Sequence, residues 1–125
     1  MNNSNNTDSE KKSALPKQDN LLSVIGLCSR ARQLTVGSSM VCDAVADGSA
    51  LLVIEASDAS QNTHKRLCDK CSYYKVRLVQ IKETCETLAR AIGKSGAVAA
   101  VAVREKNLLS AVEKQLDIRR SNGEI

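Results

Sequence analysis

Two hydrophobic patterns alternate along the chain, and this alternation limits the fold more than any other feature of the sequence. Short runs that are apolar at every position, such as residues 50–54 and 97–103, are typical of strands covered on both faces. Between them, apolar residues recur every three or four positions, which is typical of amphipathic helices. Strands of this kind separated by helices predict an α/β fold. We therefore expect a three-layer α/β/α sandwich around a four-stranded mixed sheet.

Helices and strands are expected to alternate strictly, beginning and ending with a helix. Each predicted helix begins at or beside a small or polar residue, because such residues can satisfy the free N–H groups of a first turn. The third helix carries Leu67, Cys71 and Tyr74 on one stripe, since they have the spacing i, i+4, i+7. The predicted helix starts are Asp19 or Asn20, Gly37, Ser60, Glu83 and Asn107, and the predicted strands are residues 34–36, 50–54, 76–81 and 97–103.

The two ends of the chain differ in composition from the part between them. Residues 1–18 are rich in Asn, Ser and Lys and have too little apolar surface to offset the entropy lost on ordering, so we expect a disordered polar tail. Residues 118–125 are expected to form a flexible C-terminal tail. A single folded domain is therefore predicted over residues 19–117.

Positive charge is concentrated in the predicted domain. Residues 20–116 contain 13 basic and 9 acidic residues, whereas the charges of the two tails cancel. Within the domain, residues 20–42 have basic residues and no acidic one, and residues 64–82 have six basic residues against one acidic residue. Unopposed positive charge favours a polyanionic partner such as nucleic acid. On charge alone, a basic surface without a partner is an equally good interpretation.

Aromatic residues are nearly absent from the chain, since Tyr73 and Tyr74 are the only two. RNA-recognition motifs, cold-shock domains and single-strand-binding barrels stack bases on several aromatic side chains spread over a sheet, so these classes are excluded. The core is instead expected to consist of Leu, Ile, Val, Ala and Cys.

Neither a membrane span nor an export signal is apparent in the sequence. No apolar run approaches the ~20 residues that cross a bilayer, and the N-terminus lacks the apolar stretch of a signal peptide. We therefore expect a cytoplasmic protein without a membrane partner. In that compartment the five cysteines are expected to be reduced thiols.

Two features that resemble catalytic motifs lack the context that catalysis requires. Gly93-Lys94-Ser95 is similar to the end of a phosphate-binding loop, but position 88 is Leu instead of Gly, and a strand is predicted where the motif needs a helix. His64 is the only histidine, and no nucleophile can be paired with it outside its own helix. No enzymatic activity and no cofactor are therefore predicted.

A zinc or thiol site at His64, Cys68, Cys71 and Cys85 is the alternative to a structural role for these residues. The first three lie at i, i+4 and i+7 on the third predicted helix and could, with a fourth thiolate, complete a tetrahedral site. However, Cys71 shares its stripe with core positions, where a free Cys packs as a small apolar side chain. We therefore predict no metal site.

A phosphate-binding surface is predicted at one end of the sheet. Arg30 and Arg32 end the first helix, and Gly37-Ser38-Ser39 opens the second, where backbone N–H groups are free and two hydroxyls are present. The loop Lys94-Ser95-Gly96 adds flexible backbone and another positive charge. We expect these segments to converge on the backbone of a nucleic acid.

Three segments carry a resemblance to a known family: LLSVIGLCSRARQLTVG, ALLVIEASDASQNTHKRLCDKCSYYKVRLV and LARAIGKSGAVAAVAV, of which Asp58-Ala59-Ser60 with Asn62-Thr63 is the most distinctive part. From residue 20 to residue 116 the chain resembles the ribosomal protein L-seven-Ae/L-thirty-e family of kink-turn RNA-binding proteins, and within it the bacterial YlxQ-like branch. The resemblance implies an α/β/α sandwich without catalytic activity. It also implies a sharply bent RNA partner, typically ribosomal or regulatory RNA, and an association with ribosomal or other ribonucleoprotein components.

In this family, the helix start after the first strand contacts tandem G·A pairs through a pattern similar to Gly-x-Asn-Glu-x-x-Lys. Aligned by Gly37 and Gly48, this chain has Ser39 in place of Asn, Met40 in place of Glu and Asp43 in place of Lys. Ser39 can make one hydrogen bond but no bidentate contact, and Met40 offers no acceptor. Asp43 places a negative charge where a phosphate partner favours a positive one.

The second RNA-contacting element of the family is a loop before the last strand that covers a flipped-out base, and it corresponds here to residues 94–96. We therefore expect a non-catalytic protein that recognises kink-turn-like structured RNA. The alternative is a protein-interaction domain of the same fold that has lost kink-turn specificity. The expected RNA-binding residues are Arg30, Arg32, Gly37, Ser38, Ser39, Met40, Asp43, Lys94, Ser95 and Gly96.

Overall fold

The structure is a computed structural model that describes residues 18–123. The predicted N-terminal tail lies outside these residues except for its last member. Between residues 18 and 123 the chain forms five helices and four strands in the predicted alternation. In chain order they are α1 (Leu21–Arg30), β1 (Leu34–Val36), α2 (Ser38–Asp47), β2 (Leu52–Glu55), α3 (Gln61–Tyr74), β3 (Arg77–Gln80), α4 (Cys85–Ala91), β4 (Ala100–Val103) and α5 (Lys106–Ser121).

The four strands form one mixed sheet in the order β1-β4-β2-β3. The last strand, β4, lies between β1 and β2 and runs antiparallel to both, whereas β2 and β3 are parallel. Leu34 and Leu52 both pair with Val103 at one end of β4, and Glu55 pairs with Ala100 at the other. The predicted fold class, an α/β sandwich around a four-stranded mixed sheet, is confirmed.

Two separate cores cover the two faces of the sheet. Alternate strand residues point to opposite faces, so that Ile54 and Val101 belong to one core while Val53 and Ala102 belong to the other. Helices α1, α4 and α5 pack on the first face, and α2 and α3 pack on the second. The buried hydrophobic side chains are Leu, Ile, Val, Ala and Cys, as the sequence predicted. Between residues 18 and 123, no helix combines the length and apolar character needed to cross a bilayer.

Several element ends differ from the predicted ones. The strands are shorter than the apolar runs: β4, for example, begins at Ala100 instead of residue 97. The predicted start of α1 at Asp19 or Asn20 is confirmed: Asn20 is the N-cap without a side-chain hydrogen bond, and the Asp19 Oδ1 accepts one from the Leu21 N–H at 2.9 Å. Asn107 does not cap α5, because the preceding Glu105 is extended and its carboxylate accepts a hydrogen bond from the first turn. The predicted cap at Ser60 is confirmed.

Tyr74 is not part of the core, although it shares the predicted stripe of Leu67 and Cys71. Leu67 and Cys71 are buried, but Tyr74 is 42% exposed and the neighbouring Tyr73 is 78% exposed. Tyr74 is the last residue of α3, and the buried stripe of this helix ends one turn earlier at Cys71. Both aromatic side chains of the protein therefore lie on its surface.

Helix α5 continues to Ser121, four residues beyond the predicted end of the domain at residue 117. Within this extension Arg119 is only 3% exposed. Its guanidinium donates two hydrogen bonds to the Glu83 carboxylate, at 2.7 and 2.6 Å, and its Nε lies 3.0 Å from Oδ2 of Asp19. A pattern search for apolar residues misses this contact, because the buried side chain is charged.

The Arg119 guanidinium sets the ionisation of both carboxylates. Burial alone would raise the pKa of Glu83, but the hydrogen bonds and charge of Arg119 outweigh it, so the pKa is lowered. The pKa of Asp19 is also lowered: burial raises it, while the Leu21 N–H and Arg119 lower it by more. The three side chains therefore form a buried charged cluster that joins α5 to the start of α1 and to the segment before α4.

We predict that Arg119→Met destabilises the protein by about 3 kcal/mol, because two largely buried carboxylates lose their counter-charge. Urea unfolding followed by circular dichroism measures this. Arg120→Met is the matched control, since the exposed Arg120 pairs on the surface with Asp117 and should change stability by less than about 1 kcal/mol. Equal effects of the two substitutions would contradict a structural role for the buried cluster.

The stabilities of the wild-type protein and of Arg119→Met should depend differently on pH. The lowered pKa values of Glu83 and Asp19 stabilise the wild-type fold above the pKa values of the unfolded chain. This contribution disappears as pH falls through the folded-state pKa values. The difference in stability between wild type and Arg119→Met should therefore narrow on acidification. A constant difference from neutral to acid pH would show that the cluster does not act through charge.

Gly26 allows α1 to lie directly against the end of α4. A Cβ atom at this position would lie 2.7 Å from the Ala91 carbonyl oxygen, which is shorter than real Cβ contacts. Because that oxygen belongs to the backbone, neither helix can relieve the overlap by a side-chain rotation. The contact therefore fixes the position of the α4 end, from which the following loop leaves.

We predict that Gly26→Ala destabilises the protein by about 1–3 kcal/mol through overpacking. The sign of the change in stability is informative, because Gly→Ala inside a helix otherwise stabilises a protein by about 1 kcal/mol. Ser23→Ala, at an exposed position of the same helix, is the control and should be neutral or slightly stabilising. Thermal unfolding of the two variants measures the difference, and a stabilised Gly26→Ala would rule out the close contact.

Candidate functional site

One end of the sheet combines three strand ends with the start of β4, and we call it the loop end. The Gly37 N–H donates a hydrogen bond to the Ala100 carbonyl oxygen at 2.9 Å, and Glu55 pairs with Ala100 from the other side. Further contacts connect the neighbouring loops, since the Ala56 N–H donates to Ala99 and the Ser57 N–H donates to Glu83. The segments that follow β1, β2 and β3 therefore meet at this end.

Three helices begin at the loop end, each shortly after a strand. Helix α2 starts at Ser38, α3 at Gln61 and α4 at Cys85. The first N–H groups of a helix have no partner within it and carry partial positive charge, which favours anionic ligands. Side chains already cap the starts of α3 and α4, whereas the start of α2 has no side-chain cap and is the one left to contact an anion. Gly37 connects β1 to α2 with a φ of 97°, a conformation that suits glycine.

The three residues that depart from the family pattern lie on the surface near the start of α2. Ser39, Met40 and Asp43 are exposed, and Met40 is 59% exposed. Ser38 has a basic neighbour that the sequence did not reveal: Nη2 of Arg66, on α3, donates a hydrogen bond to the Ser38 Oγ at 3.3 Å. Residue spacing could not identify Arg66, because its proximity depends on how α3 packs against α2.

The loop after α4 is also exposed and close to this end. Lys94, Ser95 and Gly96 are all exposed, and with Arg90 and Glu86 they line a shallow cavity. Gly96 precedes Ala100 by four residues, so even an extended chain separates their Cα atoms by at most about 14 Å. The sheet register therefore brings this loop close to the start of α2, a relation that residue spacing alone does not show.

The two arginines at the end of α1 do not share one position. Arg32 lies beyond the opposite end of β1, where the Gln33 carbonyl accepts a hydrogen bond from the Arg104 N–H. Gln33 and Gly37 are about 13 Å apart along an extended strand. The guanidinium of Arg30 instead reaches back along α1 to Gly26, which packs against the end of α4. The expected convergence of both arginines with Gly37 is therefore wrong for Arg32.

Asp58 and Ser60, in the most distinctive segment of the sequence, organise the backbone at the loop end. The Asp58 Oδ1 accepts a hydrogen bond from the Cys85 N–H at 2.7 Å, and Ser60 caps α3. Hydrogen bonds from Cys85 lower the pKa of Asp58, first from its side chain and then from its backbone. Burial, followed by the contact with Asp58, raises the pKa of the Cys85 thiol to about 11.

A Glu-His-Cys chain lies where β2 meets α3. The fully buried Glu55 carboxylate lies 2.7 Å from the His64 Nδ1, and the His64 Nε2 lies 3.5 Å from the Cys68 Sγ. The order resembles that of a thiol catalytic triad. However, burial raises the pKa of the Cys68 thiol, and the charges of Glu55 and Asp69 raise it further. The arrangement thus disfavours the thiolate that a nucleophile would require.

The four residues considered for zinc do not meet. Cys71 points from α3 into the core on one face of the sheet, whereas Cys85 packs against the core on the other face. Burial raises the pKa of Cys71 to about 11, as suits an apolar packing role. Across residues 18–123, no three His, Cys, Asp or Glu side chains are placed to share a metal ion.

Comparisons with known proteins agree with this architecture. A solved structure described as a protein with unknown function from Bacillus halodurans is 35% identical, with a TM-score of 0.67, and the match covers 77% of this chain and 99% of that one. A Giardia lamblia 15.5kD RNA binding protein is 21% identical with a TM-score of 0.63, and the match covers 84% of this chain and 96% of that one. The second likeness bears on the fold alone.

Sequence relatives extend the comparison. The RNA-binding protein YlxQ of Bacillus subtilis (strain 168) is 37% identical over 94 residues, which cover 75% of this chain and 92% of that protein. The protein of the same name from Enterococcus faecium is 36% identical over 73 residues, covering 58% of this chain and 70% of that protein. A family model matches residues 19–113. The chain therefore belongs to the ribosomal protein L7Ae/L30e/S12e/Gadd45 family, in its YlxQ-like branch.

Proposed function

We propose that the protein is a non-catalytic RNA-binding protein that recognises bent, kink-turn-like RNA through the loop end of the sheet. The observation that carries this proposal is the start of α2, which has no side-chain cap and lies beside Arg66, at the same end of the sheet as the exposed loop of residues 93–96. Free N–H groups, flexible glycines and nearby cations are the groups that contact phosphates without reading base sequence. The names of its YlxQ relatives support the same class of ligand.

Three basic side chains are available to phosphates around this end. Arg66 lies beside Ser38 at the start of α2, Lys94 lies in the loop before β4, and Arg30 approaches the end of α4. None of the three has a carboxylate partner among the residues that the structure describes. Their charges are therefore free to pair with an external polyanion.

Arg66 can compensate for a residue of α2 that departs from the family pattern. The family pattern has Lys where this chain has Asp43, and we propose that Arg66 supplies the missing positive charge from the adjacent helix. Ser39 retains one hydrogen-bonding group, whereas Met40 offers an apolar surface. The resulting contact would depend more on RNA shape and backbone than on hydrogen bonds to the G·A pairs.

The absence of catalysis is part of the proposal. The Glu55-His64-Cys68 chain is the arrangement most similar to a catalytic site, but the raised pKa of Cys68 keeps its thiol protonated at neutral pH. We also propose a cytoplasmic location and ribosomal or other structured RNA as the target, as the family resemblance implies. No cofactor is required for such binding.

A protein-interaction domain is the second candidate function. It is favoured by Met40, which is exposed at the helix start where the family pattern has Glu, and by the acidic Asp43 nearby. An exposed Met suits an adaptable apolar contact with a protein surface. Replacement of Arg30, Arg66 and Lys94 together distinguishes the two functions: unchanged retention of RNA from a cell extract would favour the protein-interaction domain.

We predict that the protein binds a kink-turn hairpin more tightly than an unbent duplex of the same length. Affinity for both should fall as salt rises, because each phosphate contact releases counterions. Fluorescence anisotropy titrations at two salt concentrations measure the preference and the slope. Equal, weak binding to the two RNAs would contradict recognition of bent RNA and would leave only a basic surface.

We further predict that Lys94→Ala and Arg66→Ala each weaken hairpin binding and lower the magnitude of the salt slope by about one unit, as expected for one lost phosphate contact. Arg32→Ala is the matched control, because Arg32 is also exposed and basic but lies at the opposite end of β1. A loss with Arg32→Ala as large as that with Lys94→Ala would place the RNA elsewhere on the protein.

A further inference from the structure

The outer face of α3 has a shallow groove that shares only Arg66 with the proposed RNA site. It is lined by Arg66, Asp69, Lys70, Tyr73 and Tyr74, which lie at helical spacing on one side of the helix. The only two aromatic residues of the chain are therefore on the surface, in one groove, while the core has none. We call this surface the tyrosine groove.

The two tyrosines leave one aromatic ring open to solvent. Their ring centroids are 4.8 Å apart with an interplanar angle of 75°, an edge-to-face contact. The Nζ of Lys70 lies 5.9 Å from the Tyr74 centroid, so this ring has a cation beside it. Tyr73 is 78% exposed, and its orientation is supported by the contact with Tyr74.

The charge of the groove favours an anion. Asp69 is paired with Lys65 at 2.8 Å, so its negative charge is neutralised at the edge of the groove. Arg66 and Lys70 have no carboxylate partner within the described part of the chain. An exposed aromatic ring beside unpaired cations is the combination that binds single-stranded nucleic acid, through base stacking and backbone charge.

The tyrosine groove is continuous with the loop end. Arg66 lines the groove and also donates the hydrogen bond to Ser38 at the start of α2. Tyr73 follows Arg66 by seven residues, or two helical turns, which places it about 10 Å farther along the same face of α3. A strand that leaves the start of α2 would therefore pass Arg66 and Lys70 before it meets Tyr73.

We propose that the tyrosine groove binds a single-stranded RNA segment that flanks the bent element, with one base stacked on Tyr73 and the adjoining phosphates beside Arg66 and Lys70. This inference rests on the proposed function and extends it, since it defines the target as a bent RNA with an unpaired extension. A nucleic acid fits the groove because the ring that is free to stack follows two cations without carboxylate partners in the described part of the chain.

The experiment compares three RNAs: a blunt kink-turn hairpin and the same hairpin with a short oligouridine extension on either strand. For the full-length protein, one of the extensions should tighten binding at least fivefold, which is about the lower limit for one base stacked on an aromatic side chain. Tyr73→Ala should abolish this gain and leave blunt-hairpin affinity unchanged. Tyr73→Phe should retain the gain, because the aromatic face remains.

The blunt hairpin separates failure of this inference from failure of the proposed function. If it binds more tightly than duplex but neither extension improves binding, the tyrosine groove is not an RNA site and the proposed function stands. If it binds no better than duplex, the proposed function itself fails. Lys114→Ala on α5 is the control for loss of one exposed cation and should retain the gain. A gain that survives Tyr73→Ala overturns the inference.

Discussion

The pairing of β4 with both β1 and β2 determines where the functional groups of this protein lie. Because β4 runs opposite to both neighbours, its first residue lies beside the ends of the two other strands: the Gly37 N–H donates to Ala100, and Glu55 pairs with Ala100. The helix starts that follow β1 and β2, and the loop that precedes β4, are thereby placed at the same end. A parallel β4 would put that loop at the opposite end, away from the start of α2.

Buried and capping charges then fix the loops at this end. Arg119, near the C-terminus, pairs with Asp19 before α1 and with Glu83 before α4. Asp58 accepts a hydrogen bond from the first N–H of α4. Loop segments have few apolar contacts of their own, so charge-assisted hydrogen bonds are an effective way to order them. The Arg119 contacts therefore stabilise the candidate site from the face of the sheet opposite to α2, through side chains that are largely buried.

Features that depend on burial of apolar stripes can be predicted from the sequence, whereas those that depend on buried charges or on packing between distant elements cannot. Periodicity predicted the alternation of elements and the α/β fold, since burial of apolar stripes dominates both. Periodicity puts Tyr74 on the stripe of Leu67 and Cys71 but does not show that the buried part of this stripe ends at Cys71. Arg119 falls in the predicted flexible tail, because a buried ion pair leaves no apolar signal. Residue spacing groups Arg32 with Gly37 and does not reveal Arg66, because both positions depend on how separate elements pack in space.

The exposed tyrosines offer a way to recognise RNA although residues on α2 depart from the family pattern. Ser39, Met40 and Asp43 offer few hydrogen bonds to base edges, and backbone contacts from Arg66 or Lys94 carry no sequence information. A stacked base also contributes affinity with little sequence preference, because every base has an aromatic face. Discrimination would then come from geometry: a sharp bend at the start of α2 and an unpaired strand about 10 Å away along α3 must occur in the same RNA. Two sequence-tolerant contacts at a fixed separation can select a shape that neither contact selects alone.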